Sequence, residues 1–152
     1  MASHCPRSAA TPAARRTNDD CELVLKGPST YDTVDRLTDR VYDYLATMAM
    51  SDHARFQLRM ALHEALDNAI EHGNQGDPTK QVTVTCRCRE HRVVLMVDDE
   101  GDGFDPQTVP DPTTPENLLK ESGRGIFLIE RCADEYRFEN NGRRVVIVKS
   151  FT

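Results

Sequence analysis

The run Leu62-His63-Glu64-Ala65-Leu66-Asp67-Asn68-Ala69-Ile70-Glu71-His72-Gly73 combines strong helix formers with polar residues along one edge. Leu62, Ala65, Leu66, Ala69 and Ile70 recur at helical spacing. Turned at about 100° per residue they fill one face, and Asp67 and Glu71 fall well outside it. Glu64 and Asn68, one turn apart, lie on the border. A carboxylate and an amide there can point into a cleft while the apolar face anchors the helix. On this helix alone plain local hydrogen bonding is the better account of the pair, because polar borders are normal for amphipathic helices.

Outward from this run, Ser51 and Asp52 supply the start of a helix from about His53 to His72, and Gly73 suits its C′ position. Residues 74–78 read as a loop. Strands follow over Gln81–Arg89 and Arg92–Asp98, joined tightly at Glu90-His91. In the second, Val93, Leu95, Val97 and Asp99 share a face, so Asp99 extends a core-facing row toward the helices. Cys86 and Cys88 continue the series Val82, Val84 and read as small core residues. Upstream, Cys21–Lys26 is expected as an edge strand ended by Gly27-Pro28. Ser29 or Thr30 then caps a helix with the stripe Val34, Leu37, Val41, Tyr44, Leu45 and Met48. Residues 1–20, rich in Ala, Ser, Thr, Pro and Arg, are expected to be a disordered leader, with one folded domain over 21–152. Downstream, residues 104–121 carry four prolines and form a long connection of the kind that is functional or mobile. A helix over Gly125–Ala133 and a hairpin of Glu135–Asn140 with Arg143–Phe151 around Asn141-Gly142 complete the chain. The expected fold is an α/β (α+β) two-layer sandwich: a mixed, largely antiparallel sheet covered on one face by helices.

A chain of 152 residues buries roughly 70% of its unfolded surface, enough for one real core. Its net charge of −6 argues against direct nucleic-acid binding or an anionic membrane surface. No apolar run reaches the roughly 20 residues of a membrane span, and the N-terminus lacks the apolar core of a signal peptide, so a cytoplasmic location is expected.

Three motifs then fall in order. Glu64 and Asn68 form E-x-x-x-N; Asp99, Gly101 and Gly103 form D-x-G-x-G; Gly123, Arg124 and Gly125 form G-x-G opening an apolar helix. This order and spacing resembles the ATP-binding (Bergerat, GHKL) fold of gyrase, histidine kinases and MutL. Within that fold the chain is most similar to the anti-sigma factor serine kinases of the RsbW and SpoIIAB type, over roughly Cys21–Thr152. The resemblance makes Asn68 a ligand of Mg²⁺, Glu64 the general base, and Asp99 the partner of the adenine amino group of ATP. It makes 104–121 the ATP lid.

Chemistry agrees with those assignments. An asparagine oxygen is a hard, neutral donor, and Mg²⁺ keeps several waters while taking few protein ligands. A carboxylate accepts from an adenine amine but faces an acceptor on guanine. Gly101 and Gly103 permit a tight turn against the nucleotide. Gly123 and Gly125 precede a helix whose free amides suit phosphate. Arg124 between them fits either a γ-phosphate or a partner's acidic surface, and His72 reads as a helix-end residue. The P-loop motif G-x-x-x-x-G-K-[ST] is absent. By resemblance, the chain binds a sigma factor and phosphorylates a Ser or Thr of a small STAS-type anti-sigma factor antagonist, as a homodimer. The other class open to it is a non-catalytic, nucleotide-dependent partner-switching module.

Overall fold

Period-two alternation builds the sheet and period 3.6 builds the layer above it. The computed structural model of the chain describes residues 15–17, 20–102 and 121–151. Strands β1 (Arg15–Thr17), β2 (Asp20–Pro28), β3 (Gln81–Arg89), β4 (Arg92–Asp98), β5 (Glu135–Glu139) and β6 (Arg144–Ser150) form one sheet in the order β1-β2-β3-β4-β6-β5. Helices α1 (Tyr31–Leu45), α2 (Asp52–Asn68) and α3 (Glu121–Cys132) contribute to the second layer.

Val82, Val84, Cys86 and Cys88 of β3 alternate inward and meet Val93, Leu95 and Val97 of β4, as expected; all are buried. Cys86, Cys88 and Cys132 are free and buried. The stripe Val34, Leu37, Val41, Tyr44 and Leu45 of α1 and the face Leu58, Ala61, Leu62, Ala65 and Leu66 of α2 close over this layer. Ser51 caps α2 by accepting the Ala54 N–H at 3.1 Å. Thr30 holds the N-cap position of α1 but its hydroxyl bonds Asp32 at 2.6 Å instead of capping.

Several expectations are corrected. Every strand pairing among the described residues is antiparallel, so the sheet is not mixed. The reason is topological. β6 turns back from β5 and inserts beside β4, so β4 and β5 never become parallel neighbours. Arg15–Thr17, placed in the leader, pairs with the start of β2, so β2 is not an edge over its first residues. Helix α3 begins at Glu121, four residues before the expected start and on the last residue given to the lid. The last hairpin closes at Glu139↔Arg144, and the left-handed turn residues are Asn140 (φ 53°), Asn141 (φ 57°) and Gly142 (φ 83°). The loop is thus four residues, 140–143, still centred on Asn141-Gly142 but opening one residue sooner on each strand than the two-residue turn reading. Residues 1–14, Gly103 and 104–120 lie outside the described residues. No helix among the described residues is long and apolar enough to cross a membrane.

Leu66 is fully buried at the sheet-facing side of α2, whereas Phe56 on the same helix is 51% exposed. Leu66→Ala is expected to cost about 2–5 kcal/mol through lost burial and a residual cavity. Phe56→Ala should stay within about 0.5 kcal/mol. Urea unfolding of both variants checks the contrast.

Candidate nucleotide site

The site grows from the C-terminal end of α2. At Asn68 the α-helix passes into a π-helical turn, Ala69–Gly73. Asn74 N–H bonds the Ala69 carbonyl at 2.8 Å, and Gly76 N–H bonds that of Ile70 at 2.8 Å. Single π turns inside helices occur often at functional sites because they re-aim side chains. The turn exposes His72, a helix-end residue as expected.

Gly73 is not the left-handed C′ residue that its sequence position suggests. Gln75 (φ 54°) and Gly76 (φ 69°) take that conformation. Gly73 is instead a residue of close approach: a Cβ there would collide with the Asp99 carboxylate, and a Cβ on Gly101 would collide with the Gly73 carbonyl. The helix end and the turn after β4 therefore meet backbone to backbone, with the Asp99 side chain laid over Gly73. This is the gap between sheet and helices into which the β4 alternation points.

Asp99 is held at several points. Its N–H donates to the Arg143 carbonyl at 2.9 Å, and its Oδ1 accepts the Gly101 N–H at 2.9 Å. Burial raises its proton affinity; the Gly101 N–H and the charge of Arg143 oppose that rise. Next to it, Asp98 pairs with Arg144 at 2.6 Å across β4 and β6. Asn68 lines a small cleft with Ala65, Ala69, Ile129, Phe138, Gly142 and Val145. The cleft lies between α2, α3 and the β5–β6 hairpin, so Asn68 does face a cavity.

Glu64 sits one turn back and half-buried. Burial raises its pKa, and Asp67 and Glu71 add to the rise, while His63 opposes it. Asp67 behaves likewise, its carboxyl pushed up first by burial. His63 stands among them, Nδ1 3.4 Å from Asp67 and 3.9 Å from Glu64, Nε2 3.6 Å from Asp35 of α1. His63, Glu64 and Asp67 offer ligand atoms within 4.8 Å of one another, an arrangement not anticipated from sequence. Asp67 was placed well outside the apolar face, yet only 29% of its side chain is exposed.

The structure brings Asp99 and Gly101 against the end of the helix that carries Glu64 and Asn68. Gly103 and the lid lie outside the described residues. Gly123, Arg124 and Gly125 do not precede a helix; they lie within the first turns of α3. Gly123 is the third residue of α3, a position whose N–H the helix's own ladder does not satisfy, whereas the Gly125 amide falls inside the ladder. Asn74 is a site residue that the sequence reading left in a loop. It is fully buried, its Nδ2 donating to Ser29 Oγ at 2.7 Å and the Gln81 carbonyl at 3.0 Å, its Oδ1 accepting Glu100 N–H at 2.8 Å. No local pattern marked it, because its partners lie on three other segments.

Comparison with known proteins bears on the fold and the family. The family model for the histidine kinase-like ATPase domain matches residues 27–149. The serine-protein kinase RsbW of Bacillus licheniformis is 34% identical over 100 residues, and that of Bacillus subtilis 33% over 100 residues. Each of these matches covers 62% of this chain and 62% of the relative's own length. A crystal structure of the RsbU and RsbW domains of Rv1364c from Mycobacterium tuberculosis superposes with a TM-score of 0.59 at 15% identity. It covers 86% of this chain and 32% of that one, and shows the same two-layer fold.

The raised pKa values carry a sign that can be tested. A carboxyl whose folded pKa lies above its unfolded value favours folding while protonated, and that contribution is lost as pH rises through the folded pKa. Ionised Glu64 therefore opposes folding at neutral pH. Glu64→Gln is expected to raise the melting temperature at pH 7, with the gain shrinking as pH falls to about 4, where the carboxyl is already neutral. Thermal melts at both pH values check this.

Proposed function

Because the chain belongs to the histidine kinase-like ATPase domain family, we propose that it is an ATP-dependent anti-sigma factor and serine/threonine protein kinase. In this reading it binds a sigma factor and phosphorylates a STAS-type anti-sigma factor antagonist, in the cytoplasm and as a homodimer. The similarity to serine-protein kinases named RsbW supports the kinase class. The observation that carries it is Glu64, a half-buried carboxylate one turn before Asn68 with its proton affinity raised by burial.

Phosphoryl transfer asks a protein mainly to position groups and to stabilise charge. Asp99 would accept a hydrogen bond from the adenine amino group and so choose ATP over GTP. Its fixed backbone and the Gly73–Gly101 contact hold that acceptor in place. Asn68, which lines the cleft, would supply the neutral hard oxygen suited to Mg²⁺. When bound, that ion neutralises phosphate charge. Glu64 would take the proton from the acceptor hydroxyl. A carboxylate with raised pKa is a stronger base, closer to the pH at which it works. The amide of Gly123, at the start of α3, is available to phosphate oxygens. Arg124, beside it in sequence, is proposed for the γ-phosphate.

General-base catalysis is worth about 10²–10⁴-fold. Glu64→Gln should cut labelled γ-phosphate transfer to the antagonist by that order while ATP affinity stays near wild type. Asn68→Ala should damage nucleotide binding and transfer together. Asp99→Asn should weaken ATP binding about tenfold or more, since a hydrogen bond to a charged group contributes roughly 1.5–3 kcal/mol. Transfer assays paired with calorimetric titration separate these effects. A wild type that transfers nothing, while nucleotide still governs partner binding, would replace the kinase with a non-catalytic partner-switching module.

A further inference from the structure

The end of α2 carries a second polar assembly that none of the three motifs includes. Asn74 follows the π turn directly, and its side chain is wholly buried. Its amide is used at both ends. Nδ2 donates to Ser29 Oγ at 2.7 Å and to the Gln81 carbonyl at 3.0 Å, and Oδ1 accepts the Glu100 N–H at 2.8 Å. The orientation of the amide is unambiguous, because a carbonyl can only accept and a backbone N–H can only donate. Ser29 is anchored in turn: its N–H and hydroxyl both reach the Lys80 carbonyl, at 3.1 and 2.8 Å. Glu100 closes the ring by accepting the Gln81 N–H with its carboxylate.

These bonds join the end of β2, the start of β3, the helix end and the Asp99–Gly101 turn. They act on Asp99 from two sides. Gly73, immediately before Asn74, forms the surface on which the Asp99 carboxylate lies, and Glu100, immediately after Asp99, is the residue whose N–H Asn74 holds. A shift of Asn74 therefore moves both the floor under the carboxylate and the backbone that carries it. We infer that Asn74 is the positioning residue for the Asp99 carboxylate, and that the choice between adenine and guanine nucleotides depends on it as well as on Asp99. The inference rests on the reading of Asp99 as the adenine partner.

Asparagine suits the role on chemical grounds. The site needs one donor group and one acceptor on a side chain of this length. Aspartate would set a carboxylate against the Gln81 carbonyl, and alanine would leave the Gln81 carbonyl and Glu100 N–H without this partner.

The test is calorimetric titration of the full chain with Mg-ATP and with Mg-GTP. The proteins are wild type, Asn74→Asp, Ser29→Ala and, as a control for simple loss of stability, Ile147→Val in the middle of β6. Thermal melts confirm that each is folded. Wild type should prefer ATP. Asn74→Asp should lose roughly tenfold in ATP affinity, as for one good hydrogen bond, and the ATP:GTP ratio should fall with it. Ser29→Ala should move the ratio in the same direction by less, and it decides the matter if Asn74→Asp does not fold. Ile147→Val should melt earlier yet keep the wild-type ratio. Folded Asn74→Asp with an unchanged ratio, or an unchanged ratio in Ser29→Ala where that variant decides, overturns the inference and leaves the reading of Asp99 intact. A wild type that binds ATP and GTP equally overturns both.

Discussion

The contact on which the site depends is the approach of Gly73 to Gly101, two backbones close enough that neither tolerates a Cβ, with the Asp99 carboxylate laid across Gly73. It fixes where the helix ends relative to the sheet. Everything upstream serves to bring it about. The apolar face of α2 packs down onto β4 and β6 and sets the height of the helix. The π turn then carries the chain from Asn68 to Gly73. On the sheet side, the Asp98–Arg144 pair and the bond from Asp99 to the Arg143 carbonyl hold the strand end in register. Both sides are rigid elements, so the separation between Asn68 and Asp99 is a property of the fold and not of a loop.

Charge is arranged less comfortably than packing. Glu64, Asp67 and Asp99 are each partly withdrawn from water, and burial is the leading cause of the raised pKa in all three. Glu64 and Asp67 also repel each other across one turn, with His63 between them as a partial counterweight. A protein selected only for stability would not keep this set on one helix. Sites that must hold a base or receive a cation do, and perturbed carboxylates gather there for that reason. The distal half of the same helix shows the contrast. There Arg55 and Arg59 stack on Tyr42, and Arg59 also meets Asp39 at 3.0 Å.

Much of this was legible in the sequence because the relevant signals are local. The Val93-Leu95-Val97 alternation placed Asp99 at the gap, and the spacing of Leu62, Ala65, Leu66 and Ala69 placed Glu64 and Asn68 at the border of the core. What stayed hidden was non-local. Gly73 reads as a helix stop because glycine commonly ends helices. That it is there to admit Asp99 depends on a residue 26 positions away. Asn74 reads as loop because Ser29, Gln81 and Glu100 have no sequence relation to it. The largely antiparallel sheet is legible from the strands, but that no described pair is parallel is not: where β6 inserts is a topological fact that no single strand records. The start of α3 is hidden because two of its first five residues are glycines, which are weak helix formers.

The most direct test of the account is where a nucleotide touches the protein. The measurement is a heteronuclear NMR titration of uniformly ¹⁵N-labelled chain with Mg-ATP. If the helix end and the β4 turn form the nucleotide site, the largest amide shifts will fall at Asn68, Gly73, Asp99 and Gly101, with Arg143 following through its bond to Asp99. Saturating shifts confined to other surfaces, with these amides unmoved, would contradict the account.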